Sequence, residues 1–301
     1  MRQEWRSLNA TSQQAYISTV ICLMHHPSIL HSDSSYYDDF VYVHTQSGQT
    51  SHYAAAFLPW HRMFVRTYEQ ALQEKCGYKG VQPYWDWTLD SADLSKSPIW
   101  DPDHGFGGNG DLSTPETIHN GHCVPDGPFA NTTRQWHAIR GGEFHSVARE
   151  PHCLSRGFLN AGMISGTDRE KSSKFHRHIS PEHVEHILQQ PDYLSFFKLF
   201  ESGAHNAIPQ FLRGDWLVFS APNDPVFFLH HTQVDRLWWL WQERDVKTRA
   251  KDYHGPKEDF RHHPESTGSK VSDVLSTDGF VPDGKVEDFL DTKNGLLCYE
   301  Y

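Results

Sequence analysis

The stretch that decides the fold is Ala221-Pro-Asn-Asp-Pro-Val-Phe-Phe-Leu-His-His-Thr-Gln-Val-Asp-Arg-Leu-Trp-Trp-Leu-Trp241. Asn223 or Asp224 is suited to cap a helix whose first turn holds Pro225, a position where no N–H is needed. The helix then runs through His230, His231 and Asp235 into an aromatic stretch. His231 and Asp235 are four apart and share a face, whereas His230 leaves the axis about 100° away. Far upstream, Phe57-Leu-Pro-Trp-His-Arg62 answers it. Pro59 opens a helix that continues through His61, Glu69 and Leu72 to a stop at Cys76-Gly77. Histidines that follow apolar residues on two buried helices need partners, and metal is the usual one.

The flanking residues sharpen this reading. Before His61 the chain reads Tyr37-Asp-Asp-Phe-Val-Tyr-Val-His44 and then Ser51-His52. Before His231 comes Glu201-Ser-Gly-Ala-His-Asn206. Two clusters rich in imidazole and poor in thiolate suit copper or zinc rather than magnesium or calcium. A lone histidine is more often a hydrogen-bonded core residue; five in two such segments do not fit that explanation.

These two segments resemble the copper signatures of the tyrosinase and catechol oxidase (polyphenol oxidase) family of type 3 copper proteins. The resemblance spans residues 1–301, although 90–180 carries no family motif. It implies a mainly α fold: a central four-helix bundle holding a dinuclear copper site, with long irregular loops. Two copper ions are expected, with three histidines each and dioxygen between them. His44, His52 and His61 would hold the first copper, and His205 and His231 the second. The family pattern His-x-x-x-His places the sixth ligand at residue 209, where this chain has Pro209. Proline has no metal-binding side-chain atom and resists a helix interior. The sixth ligand is therefore unknown from the sequence, and helix geometry points His230 away.

The resemblance also assigns roles near the metals. Glu201 and Asn206 match a glutamate and an asparagine that hold a water for deprotonating phenols. The pKa of a phenol lies at about 10, so a carboxylate-polarised water helps form phenolate. Val218 matches the substrate gate where some catechol oxidases carry a bulky phenylalanine; valine implies a more open entrance that admits monophenols. Some fungal relatives cross-link a cysteine to the second histidine, but Thr50 stands at that position. Arg62 and Asp235 would form a buried pair tying the two copper helices together. The Trp238-Trp239-Leu-Trp241 run reads as core packing.

The expected function is oxidation of monophenols and/or o-diphenols to o-quinones with O2. The alternatives are a copper-binding homologue with an impaired or mono-copper site because of Pro209, and an o-aminophenol oxidase. The partners are a small phenolic substrate and O2.

Composition agrees with this reading. The 301 residues show no linker, repeat or low-complexity run, so residues 1–301 are expected to form one domain. A net charge of -11, with acids and bases interspersed, argues against nucleic acid as a partner. No apolar run approaches the roughly 18 residues of a membrane span. Five cysteines at 22, 76, 123, 153 and 298 lack any C-x-x-C, so four are available for two disulfides. Asn9-Ala-Thr11 and Asn131-Thr-Thr133 are glycosylation sequons. Met1-Arg-Gln-Glu-Trp5 is not a signal peptide. Copper chemistry and disulfides imply a secreted protein whose signal has been removed. The closing Leu297-Cys-Tyr-Glu-Tyr301 resembles the Tyr-x-Tyr mark of the family's catalytic core, implying a short fungal-type core without a shielding domain.

Helices are expected over 3–30, 60–76, 181–202 and 225–245. Gly, Pro, Ser and His dominate 88–180, which reads as loop pinned by Cys123 and Cys153.

Overall fold

The computed structural model describes residues 1–141, 144–159 and 175–301. It is mainly helical, and several helices begin or end at a local chemical cue. Helix α1 (Ala10–His25) starts where the Asn9 side chain accepts a bond from the Ser12 amide at 2.9 Å, and stops short of Pro27. Those two residues trim the expected 3–30 span, and Trp5–Ser7 forms a separate single turn. Helix α2 (Tyr36–Ser51) was not anticipated, yet its cue is plain. Ser35 Oγ accepts from the Asp38 amide at 3.2 Å, while Asp38 accepts from the Ser35 amide at 2.9 Å. This reciprocal capping satisfies two donors that a helix start leaves free. Helix α3 (Phe57–Cys76) ends at Gly77, whose φ of 67° a side chain would strain.

The region expected as loop contains an antiparallel hairpin. Strand β1 (His122–Cys123) pairs with β4 (Ser155–Arg156), and β2 (Thr133–Gly141) pairs with β3 (Phe144–Cys153). Arg134, Trp136 and Ala138 alternate inward, which is the period of a half-buried strand. The surrounding Gly- and His-rich stretches hid that short alternation. The Cys123–Cys153 disulfide clamps the base of the hairpin, so these two cysteines do pin the stretch as expected.

The expected helix over 181–202 is two helices, α4 (Pro181–Leu188) and α5 (Tyr193–Phe200). Pro191 separates them, and Asp192 caps the second through the Ser195 amide at 2.8 Å. Helix α5 passes through one widened π-type turn, Glu201–His205, into α6 (Asn206–Leu212). Pro209 lies inside α6. A proline ring crowds the carbonyl four residues back, here that of His205, the last residue of the widened turn. Helix α7 (Val226–Glu243) begins just after Pro225, with the Val226 amide bonded to Asp224 Oδ1 at 3.0 Å.

Helices α2, α3, α5–α6 and α7 surround the site, packed through aromatic rings such as Tyr68 and Phe228, stacked 3.5 Å apart. Trp238 and Trp241 are fully buried, in keeping with core packing. Arg62 Nε meets Asp235 Oδ1, joining α3 to α7 as expected. Asp235 also receives Arg2 at 3.2 Å, Tyr299 at 2.5 Å and the Tyr301 hydroxyl. The Tyr-x-Tyr end of the chain is thus bonded into the same buried ion-pair network. A second disulfide, Cys22–Cys76, ties α1 to α3, and Cys298 is free and exposed.

Candidate metal centre

Three elements deliver the first group of imidazoles: His44 from α2, His52 from the residue that ends it, and His61 from α3. All three are buried, and one ligand atom from each lies within 4.8 Å of the others. Their Nδ1 atoms share a pattern. His61 Nδ1 faces Phe57 O at 2.7 Å, His52 Nδ1 faces Gly48 O at 3.0 Å, and His44 Nδ1 faces Phe219 O at 2.6 Å. A carbonyl only accepts, so each Nδ1 carries the proton and each Nε2 keeps its lone pair. His44 Nε2 and His61 Nε2 nevertheless lie only 3.3 Å apart. Two bare acceptors at that distance repel unless a cation sits between them.

The second group is His205, His230 and His231, all buried and again within 4.8 Å of one another. His205 Nδ1 faces Asn206 Oδ1 at 3.0 Å. Among the described residues, neither ring nitrogen of His230 has a hydrogen-bond partner, nor does His231 Nδ1. Buried polar atoms left this way are costly unless something binds them. The expectation that His230 points away is corrected here. Its ring lies 5.1 Å from that of His205, as does the ring of His231. Consecutive side chains leave a helix about 100° apart, but His205 approaches α7 between those two directions. Pro209 borders the same cavity and contributes no ligand atom.

The two groups face each other, with His61 and His231 stacked at 4.2 Å and 10°. Burial depresses the pKa of all six rings, to about 4 for His44 and for His205. For His52, His61, His230 and His231 burial is again the main cause, reinforced by neighbouring imidazoles. Six neutral imidazoles with free lone pairs form a donor set that fits copper.

A cavity of about 390 Å³ opens onto both groups. Val218, Phe219, Tyr53, Asn206, Arg261 and His262 line it with the histidines. Val218 is among the lining residues, and its neighbour also bears on access to the cavity. The next residue, Phe219, lays its ring over His52 at 4.7 Å. Gly48 makes room for it, since a Cβ there would fall 2.3 Å from that ring. Glu201 is fully buried and does not border the cavity; both its oxygens accept the Tyr53 amide, at 2.8 and 2.9 Å. Burial holds its carboxyl well above the usual range. Asn206 does border the cavity and donates to the Tyr53 hydroxyl at 2.8 Å.

Residues 34–244 match the model of the common central domain of tyrosinase. This chain belongs to the tyrosinase family. It is 54% identical, over its full length and 79% of the relative, to Tyrosinase-like protein phomQ1' of Diaporthe leptostromiformis. It is 40% identical to Tyrosinase ustQ of Aspergillus flavus, again across the whole chain and 79% of that protein. Among solved structures, a variant of the polyphenol oxidase from Thermothelomyces thermophila superposes with a TM-score of 0.85 at 29% identity, covering 100% of this chain and 88% of that one. Like other members of the tyrosinase family, the protein is a copper oxidoreductase, and its two histidine groups are suited to the dinuclear copper of that family.

Sequence reasoning missed three features of this tyrosinase-family site. His230 stands beside His231 in the sequence, but the geometry of its own helix alone points it elsewhere. Phe219 and Tyr53 adjoin Val218 and His52 directly, and no local pattern marks either as facing the cavity.

Proposed function

We propose that this chain oxidises o-diphenols to o-quinones with O2 and hydroxylates simple monophenols more slowly. Two opposed trios of neutral imidazoles, at the floor of a cavity of about 390 Å³, carry this reading. His44, His52 and His61 would hold one copper, and His205, His231 and His230 the other. When bound, the copper pair supplies redox chemistry that takes electrons from the phenol and passes them to O2. The protein's own part is to bind the ring, exclude bulk water and manage protons. Each o-diphenol gives up two protons and two electrons, so two of them reduce one O2 to water.

Phe219 narrows the mouth, so the argument for monophenols from an open valine gate loses its force. What remains in favour of monophenols is Asn206 at the cavity wall, linked through Tyr53 to the buried Glu201. A carboxylate whose pKa is raised by burial is a stronger base once ionised, which suits it to take a phenolic proton through water. The two disulfides fit a protein exported through an oxidising compartment.

An oxygen electrode and a quinone-trapping nucleophile test the reading on copper-loaded protein. Catechol should consume O2 at once, and a simple phenol should do so after a lag. Asn206→Ala should slow the phenol more than the catechol, because a catechol is easier to deprotonate and oxidise. Protein with two coppers that consumes no O2 with catechol would refute the proposal.

A further inference from the structure

Tyr53 has no role in the reading above, yet it contacts Glu201, Asn206 and Arg261 beside the second histidine group. It directly follows His52 and holds a left-handed backbone, with φ of 52°. That conformation is uncommon for a bulky residue and persists only where the surroundings enforce it. Here it turns the Tyr53 amide onto both oxygens of Glu201, at 2.8 and 2.9 Å. The side chain then reaches Asn206, whose Nδ2 donates to the hydroxyl at 2.8 Å. The opposite end of the same amide, Oδ1, faces His205 Nδ1 at 3.0 Å. With Nδ2 directed at Tyr53, Oδ1 accepts the Nδ1 proton of His205, and His205 Nε2 keeps its lone pair. The outer face of the ring is covered by Arg261, 3.2 Å from the centroid, which Asp259 holds in turn at 2.6 Å.

We propose that Tyr53 is a positioning residue: through its amide and hydroxyl it fixes Glu201 and Asn206, and through Asn206 it fixes the metal-binding tautomer of His205. The proposal rests on the assignment of His205 as a ligand and of Asn206 as a proton-handling group. Groups that orient metal-bound histidines commonly change metal affinity by 10–100-fold when lost. Tyr53 acts at one remove, so an effect at the lower end is expected.

The test is a cycle of Tyr53→Phe, Asn206→Ala and the double variant, made in the full chain. Phenylalanine retains the ring beneath Arg261 and the amide on Glu201, and removes only the hydroxyl. Copper titration of the metal-free proteins should show the weaker of two binding steps loosened about tenfold in Tyr53→Phe. At saturating copper, the ratio of phenol to catechol turnover should fall, through kcat rather than KM. In the double variant the hydroxyl should matter by less than twofold, because its effect runs through Asn206. Unchanged copper affinity together with an unchanged turnover ratio overturns the proposal, as do fully multiplicative effects in the double variant. If Asn206→Ala itself leaves the ratio unchanged, the proton-handling reading of Asn206 fails instead, and copper affinity alone then decides the role of Tyr53.

Discussion

His230 shows how far a single residue departs from its local reading. It is buried, with both ring nitrogens unpartnered among the described residues, in a group with His205 and His231. If it replaces the ligand that Pro209 cannot supply, His230→Ala should leave the second site with two imidazoles. Dialysis against a mild chelator should then give about one copper per chain, against two for the parent protein. Equal copper retention in both would mean that His230 is only a packed neighbour. His61→Ala addresses the other site: loss of one of three imidazoles should remove that copper and oxidase activity together, as measured by metal analysis and O2 uptake.

At the scale of elements, the missed hairpin matters because it braces the cavity rim. His152 on β3 contacts Asp215 at 2.9 Å, and Asp215 also accepts from the Ser155 amide at 3.0 Å and Asn223 Nδ2 at 2.9 Å. Asp215 sits in the turn Gly214–Leu217, directly before Val218 and Phe219. Burial works against protonation of His152, but the hydrogen bond and charge of Asp215 outweigh it and raise its pKa above 6.5. A raised folded-state pKa means that the folded protein holds the proton more tightly than the unfolded chain. The resulting stability is fully present below the unfolded pKa and is lost as pH rises through the folded one. The Tm of the metal-free protein should therefore exceed that of His152→Gln most clearly in mild acid. The gap should shrink once pH passes the folded pKa. A gap independent of pH would mean that His152 contributes by packing alone.

Across the whole molecule, α3, α7 and both chain ends meet at one buried carboxylate. Asp235 receives Arg62, Arg2, Tyr299 and Tyr301, and Arg62 also lies 3.7 Å over the Trp238 ring. Asp235→Ala would leave two guanidinium groups buried without their shared counter-charge, which typically costs about 3–5 kcal/mol. The denaturant midpoint should fall accordingly, and copper binding should weaken, since the His61–His231 stack depends on how α3 meets α7. A midpoint close to that of the parent would show that Glu69 suffices for Arg2 and the neutral acceptors Gln242 and Phe289 O suffice for Arg62.

Local chemistry made the helical character of the chain and the stop at Gly77 legible over a few positions, through caps, residue type and spacing. The Arg62–Asp235 pair and five of the six buried histidines were legible only with the two distant segments set side by side, where they resemble the family's copper signatures. The cues for α2 and for the break at Pro191 were equally local. Ser35 with Asp38, and Pro191 with Asp192, spelled them out. Tertiary structure decided the rest. His61 and His52 turn their Nδ1 atoms to carbonyls four residues back on their own helices, but His44 needs Phe219, distant in sequence. The inclusion of His230 depends on the path of α5–α6 across α7, and the place of Phe219 in the cavity wall on its packing over Gly48. A helix fixes the direction in which a side chain leaves the backbone; which rings meet is set by how separate helices cross, and that geometry is encoded in no single stretch of sequence.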